Sequence, residues 1–179
     1  MRPSTDIDPA IPLRARNGDV AAFAELVEFF HGRCLRYARY MLGEEEDAEE
    51  AVQDTFVRVY DHLGQFRPDA RFEPWLFRIL ANRCRTARER RRRRESLVVT
   101  GELPAVAAES PDSSRDFMEA VEAALEELPS EQREAFLLRH VEDLSYEDMA
   151  VITGVRLSAL RMRVKRACDA LRTRLEQEM

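Results

Sequence analysis

Near the C-terminus, Ser158, Arg161, Met162, Lys165 and Arg166 fall at spacings that put them on one face of a helix. That face offers guanidinium forks for guanine or phosphate, an ammonium, a hydroxyl and an apolar thioether, which are the groups a helix uses to read base edges in a major groove. The opposite stripe, Leu157, Leu160, Val164, Ala167 and Leu171, is apolar. Taken alone, this helix is also compatible with a solvated basic surface. What precedes it favours DNA: Ser145 with Asp148 three residues on makes a capping-box signature for a short helix Tyr146 to Thr153, and Gly154 ends it. The pair has the length and spacing of a helix-turn-helix.

A second group joins rings to cations. Phe66, Phe72, Trp75 and Phe77 stand beside a stretch, Arg71 to Arg94, that holds ten arginines against Glu73 and Glu89. Unpaired bases stack on aromatic rings while their phosphates meet positive charge, so this mixture suits single-stranded nucleic acid. Phe72 and Trp75 lie on or beside an apolar stripe, and a plain core role fits each of them equally well. Arg78, Asn82 and Arg85 lie off that stripe. The five consecutive arginines Arg90 to Arg94 repel one another unless a counter-charge such as a polyanion meets them.

Other constellations lead nowhere. Seven carboxylates and no base lie between Glu44 and Asp54, but acids strung along one helix with no nearby His point in several directions; a solvated helix start or a docking face for a basic partner is the better reading. His31 and Cys34 give two possible ligands with nothing to complete a metal set, and His62 and His140 are solitary. No nucleophile, base and orienting acid can be grouped, and none of the six glycines sits in a phosphate-cradling loop. The expectation is a protein that is not an enzyme and holds no cofactor or metal.

The elements that position these groups follow from periodicity. The 179 residues, 45% hydrophobic and 35% charged, allow one sizeable core or two small ones. No apolar run is long enough to cross a bilayer, the first twelve residues lack a secretion signal, and three widely spaced cysteines suit a reducing compartment, so a cytoplasmic chain without membrane insertion is expected. The net charge of -6 conceals two basic stretches on an acidic background, as two separate contacts with a polyanion require. Only Lys165 among the 28 basic residues is lysine. Apolar residues recur three and four apart nearly everywhere, which predicts an all-α fold. Asp19 caps a helix through Phe23, Leu26, Val27 and Phe30 that Gly43 stops. A second helix starts near Glu45 with Ala48, Val52, Thr55, Phe56, Val59 and Leu63 inward. Gly64 to Arg71 is a loop, and Pro74 opens a helix that runs into the arginines. A linker without period, containing Gly101, Pro104 and Pro111, occupies 95–115; beyond it come a helix from about Phe117 to Leu128, one capped by Ser130 that runs to Val141, and the helix-turn-helix.

The runs DAEEAVQDTFVRVYDHLGQFRPDARFEPWLFRILANRCR (Asp47 to Arg85) and LPSEQREAFLLRHVEDLSYEDMAVITGV (Leu128 to Val155) closely resemble the two characteristic regions of the extracytoplasmic-function sigma factors of bacterial RNA polymerase, and Asn17 to Phe30 fits as well. The resemblance implies two small helical domains joined by a flexible linker: region two over 1–94, which binds core polymerase and opens the promoter −10 element, and region four over 116–179, which reads the −35 element. It implies contacts with the β′ clamp and the β flap of polymerase, with promoter DNA and with an anti-sigma factor. Carried over residue by residue, Glu50, Gln53, Asp54 and Val57 lie on the clamp-docking helix. Phe66, Arg67, Asp69, Arg71 and Phe72, with Trp75, Arg78, Asn82 and Arg85, shape the pocket for an unstacked −10 base. Arg161, Met162, Lys165 and Arg166 match the −35 reading positions. Arg156 stands where the family often has a Ser-type cap, Met162 where it often has a small polar residue, and Glu73 puts an acid near the DNA-facing loop. Two other classes remain compatible with the residues alone: a stand-alone helix-turn-helix regulator, and a helical interaction bundle with no DNA function.

Overall fold

The computed structural model describes residues 7–97 and 113–178, and every regular element among them is helical. The N-terminal half comprises α1 (Ala10–Arg16), α2 (Val20–Leu42), α3 (Glu45–His62) and α4 (Phe72–Leu97), with a 3-10 turn at Leu63–Gln65. The C-terminal half comprises α5 (Ser113–Glu127), α6 (Ser130–Phe136), α7 (Tyr146–Thr153) and α8 (Leu157–Glu178).

Local chemistry sets the helix ends. The Asp19 carboxylate accepts from the Ala22 amide at 3.0 Å and starts α2. Gly43, at φ 81°, ends it with its own amide bonded to the Arg39 carbonyl, a backbone conformation that side chains other than glycine's resist. Glu45, Glu46 and Asp47 fill the first turn of α3, where the helix dipole favours negative charge. Leu26, Phe30, Tyr37 and Met41 of α2 are buried against Val52, Phe56 and Val59 of α3 and Leu76, Phe77 and Leu80 of α4. Thr55 is tolerated in this core because its hydroxyl donates to the Ala51 carbonyl at 2.7 Å. In the C-terminal half Leu160, Val164, Ala167 and Leu171 are buried as their periodicity requires, against α5, α6 and α7.

The structure adds detail at the N-terminus and around the linker, and corrects two expectations, both about α6. The short helix α1 was not foreseen; it is held by the Asp8 side chain on the Ala10 amide and by an Arg14–Asp19 ion pair at 2.7 Å, neither of which leaves a periodic signal in seven residues. Helix α4 runs to Leu97 and α5 begins at Ser113, so both ends of the expected linker are helical; residues 98–112 lie outside the described part. Helix α6 takes Pro129 as its N-cap, without a side-chain cap from Ser130. It does not reach Val141 as an α-helix, because Leu137–Val141 forms a π turn that leads to Asp143 at φ 55°.

The two halves pack together. Helix α4 lies along α7, and α2 touches α5, α6 and the π turn. Buried apolar residues of both halves join in one cluster, and charged pairs cross the seam. Glu142, just after the π turn, has a fully buried side chain and accepts from Arg33 Nε at 2.9 Å and Arg36 Nη2 at 3.0 Å, both on α2. Arg33 also pairs with Glu73 at 2.5 Å, which makes that acid a structural partner buried beside the loop. Burial alone would lower the Arg33 guanidinium's pKa; Glu73 and Glu142 outweigh it and the net shift is upward.

Candidate nucleic-acid interface

Helices α7 and α8 form the helix-turn-helix. The Ser145 hydroxyl caps α7 by accepting from the Asp148 amide at 3.0 Å, and donates to the Asp148 carboxylate at 2.7 Å. Gly154, left-handed at φ 71°, turns the chain and bonds back to the Ala150 carbonyl. Leu157 then opens α8, whose first turn has the Arg156 carbonyl as acceptor for Leu160. With Leu160 and Val164 anchored below, Ser158, Arg161, Met162, Lys165 and Arg166 are all exposed on one face. Arg163, on the flank, is drawn instead to Glu131 at 2.6 Å.

In the N-terminal half, Trp75, Arg78 and Asn82 share one face of α4 and line a groove of about 220 Å³ with Ile79 and Arg83 of the same helix, Arg58 and His62 of α3, and Gln65. The resemblance-based set divides around it. Phe66 and Phe72 are 3% and 5% exposed and lie against Trp75, their ring centroids 5.4 and 5.6 Å from it, so they support that ring from beneath rather than present faces of their own. Arg67 and Asp69 pair with each other at 2.8 Å on the exposed loop. Arg71 reaches across to Asp148 of α7 at 2.5 Å. Arg85 donates to Asn82 at 2.6 Å and to Glu134 of α6 at 3.0 Å. Burial pushes the Glu134 carboxyl up, against the pull of Arg85.

The third expected surface lies along α3. Glu50, Gln53, Asp54 and Val57 are exposed along α3, and Tyr60 extends them: Val57 is 60% and Tyr60 57% exposed, with the Tyr60 ring edge-on to Phe23 at 5.1 Å. Two apolar side chains one turn apart, next to carboxylates, make an unpartnered face on this helix.

Sequence reasoning missed Arg33, Arg36, Glu134, Glu142, Tyr60 and Tyr146. The first four act as cross-half pairs whose members lie up to 109 residues apart, and no local pattern marks them. His140 is not solitary: its Nε2 lies 3.5 Å from Cys168 Sγ, where burial pushes the thiol up and the imidazole down. Burial also raises the Cys34 and Cys84 thiols, Cys84 to about 12, which leaves them inert core residues. Among the described residues no group of His, Cys, Asp or Glu is placed to hold a metal ion, and no helix is long and apolar enough to cross a membrane.

Residues 26–94 match Sigma-70 region 2 and residues 118–171 match Sigma-70, region 4. Over 163 residues the chain is 34% identical to the ECF RNA polymerase sigma factor SigE of Mycolicibacterium smegmatis, covering 87% of this chain and 63% of that relative. It is 31% identical over 176 residues to the RNA polymerase sigma-H factor of Pseudomonas aeruginosa, covering 92% of this chain and 91% of the relative. The fold is similar to that of CnrH in complex with the cytosolic domain of CnrY, at a TM-score of 0.76 and 27% identity over 97% of this chain and all (100%) of that one. It is also similar to the sigma factor RpoE in complex with the anti-sigma factor NepR from Bartonella quintana, at 0.71 and 26% over 86% and 96%. With both regions in order, a helix-turn-helix whose basic face is bare, and a sigma-H relative matched along nearly its whole length, the chain belongs to the ECF sigma factors of bacterial RNA polymerase.

Proposed function

We propose that this chain brings core polymerase to promoters by three contacts and opens DNA through binding energy alone, without catalysis of its own, in the cytoplasm. The α3 face Glu50, Gln53, Asp54 and Val57 docks on the clamp. The α8 face reads the −35 duplex. The groove of Trp75, Arg78 and Asn82 takes a base unstacked from the −10 element. The observation that carries this reading is the α8 face of Ser158, Arg161, Met162, Lys165 and Arg166, exposed while Leu160, Val164, Ala167 and Leu171 on the opposite side are buried.

Capture of an extruded base offsets an unstacking cost of about a few kcal/mol, and only melting or single-stranded DNA can present that base. Trp75, backed by two buried rings, offers a stacking surface, while Arg78 and Arg83 supply positive charge along it. Arg71 and Arg85 take part only after their carboxylate partners Asp148 and Glu134, on the other half, have been exchanged for phosphates. Engagement of Arg71 and Arg85 with DNA therefore requires these cross-half pairs to open, whereas the groove of Trp75, Arg78 and Asn82 is open already. The similarity to CnrH and RpoE, each solved with a bound protein, supports an anti-sigma partner for this chain as well.

The test is initiation in vitro. Purified core polymerase plus this chain yields transcripts with a defined start, and Arg161→Glu with Arg166→Glu abolishes the dependence on the −35 sequence. A stand-alone regulator gives no defined start, and an interaction bundle is indifferent to the reversal.

A further inference from the structure

Among the five exposed side chains of the α8 face, Arg161 alone is held. Its guanidinium carbon lies 5.5 Å from the centroid of the Tyr146 ring, at the start of α7, and it makes no hydrogen bond or ion pair with any described residue. Ser158, Met162, Lys165 and Arg166 have no such support among the described residues. The Tyr146 ring is itself fixed. It packs half-buried against the core, follows the Ser145 cap, and faces a second guanidinium, that of Arg139, at 5.6 Å. Arg139 is tied to Asp143 at 3.3 Å and to the Leu144 carbonyl at 3.2 Å, so it braces the ring without competing for its partners on DNA.

A ring that attracts a guanidinium through its π face restrains the side chain and leaves its N–H donors unspent. A carboxylate in the same place would restrain Arg161 and also consume the donors needed to bond O6 and N7 of guanine. Long cationic side chains lose much rotamer freedom on binding, and a group already aimed loses less. We infer that Tyr146 is a positioning residue for base readout: it presents Arg161 to the major groove so that one base of the −35 element, a guanine by the chemistry of the fork, is specified more strictly than its neighbours. This rests on the reading of α8 as the −35 helix.

The experiment measures binding of the full chain, assembled with core polymerase, to −35 duplexes carrying every single-base change, for the parent, Tyr146→Phe, Tyr146→Leu, Arg161→Ala and the Tyr146→Leu/Arg161→Ala double variant. Arg161→Ala identifies the position it reads by flattening the preference there. Tyr146→Leu relaxes the preference at that same position by about five-fold and leaves the other positions and non-specific binding within about two-fold. Tyr146→Phe, which keeps the π face, matches the parent. In the Arg161→Ala background, Tyr146→Leu adds nothing. Equal losses at all positions, or an effect of Tyr146→Leu that persists without Arg161, overturns the inference and leaves the sigma-factor reading standing. No position-specific effect of Arg161→Ala overturns the −35 assignment of α8 itself, and this inference with it.

Discussion

The Asn82 side chain does two jobs at one position: its amide oxygen Oδ1 accepts from Arg85, and it lines the groove beside Trp75. If the groove captures an unstacked base, Asn82→Ala impairs opening of a fully duplex promoter much more than of one already melted at −10, as permanganate footprinting of the two templates would show; equal losses would remove Asn82 from base capture. Asp19 illustrates a different dependence. The Ala22 amide first, and Arg14 next, hold its carboxyl below the usual aspartate range. A depressed folded-state pKa stabilises the fold at neutral pH, and the contribution is lost as pH falls through the aspartate range and below. The stability gap between parent and Asp19→Ala, from urea unfolding at a series of pH values, therefore narrows toward acid. Neither residue's partner is apparent from composition, yet Asp19 is legible as a cap because its signal is local, whereas for Phe66 and Phe72 the sequence leaves core and pocket roles open, because aromatic identity does not distinguish a stacking face from the support beneath it.

At the scale of elements, periodicity identifies the long helices and the helix-turn-helix because burial of one stripe dictates both. It fails where local hydrogen bonds rule, in α1 and in the π turn after α6. The turn between α7 and α8 gives a clear test. Gly154 has no atom near the place a Cβ would occupy but sits at φ 71°, so Gly154→Ala destabilises through backbone strain alone, by about 1 kcal/mol in urea titration, and Gly154→Asn by less. At the end of α4, Arg90, Arg92 and Arg94 are exposed or nearly so, and Arg91 leans toward Glu44 at 3.6 Å. Neutralising several of Arg90 to Arg94 weakens DNA binding across all sequences and flattens the plot of log affinity against log salt, by roughly one unit of slope for each phosphate left without its arginine. An unchanged slope would assign the run to solvated charge.

Across the whole molecule, the decisive pairings are those that no local pattern reveals, because Arg33, Arg36, Arg71 and Arg85 meet Glu142, Asp148 and Glu134 only once two separately periodic halves have docked. The charge map makes each half look like a polyanion binder; it cannot show that the acids of one half occupy cations of the other. Glu142 is the keystone of that exchange. Its removal leaves Arg33 half-desolvated with one partner fewer, and Glu142→Gln is expected to cost about 3 kcal/mol in denaturant unfolding and to lengthen spin-label distances between α2 and α8. Unchanged distances would mean that apolar packing alone joins the halves. On the proposed function, the seam also gives promoter binding an order of events. If α8 reads the −35 duplex, its exposed face is free while Arg71 and Arg85 remain engaged, and a molecule in this state would meet its target upstream end first, with one hand already free. Commitment downstream would then wait on a rearrangement whose rate, rather than diffusion, sets how quickly a chance encounter matures into a start site.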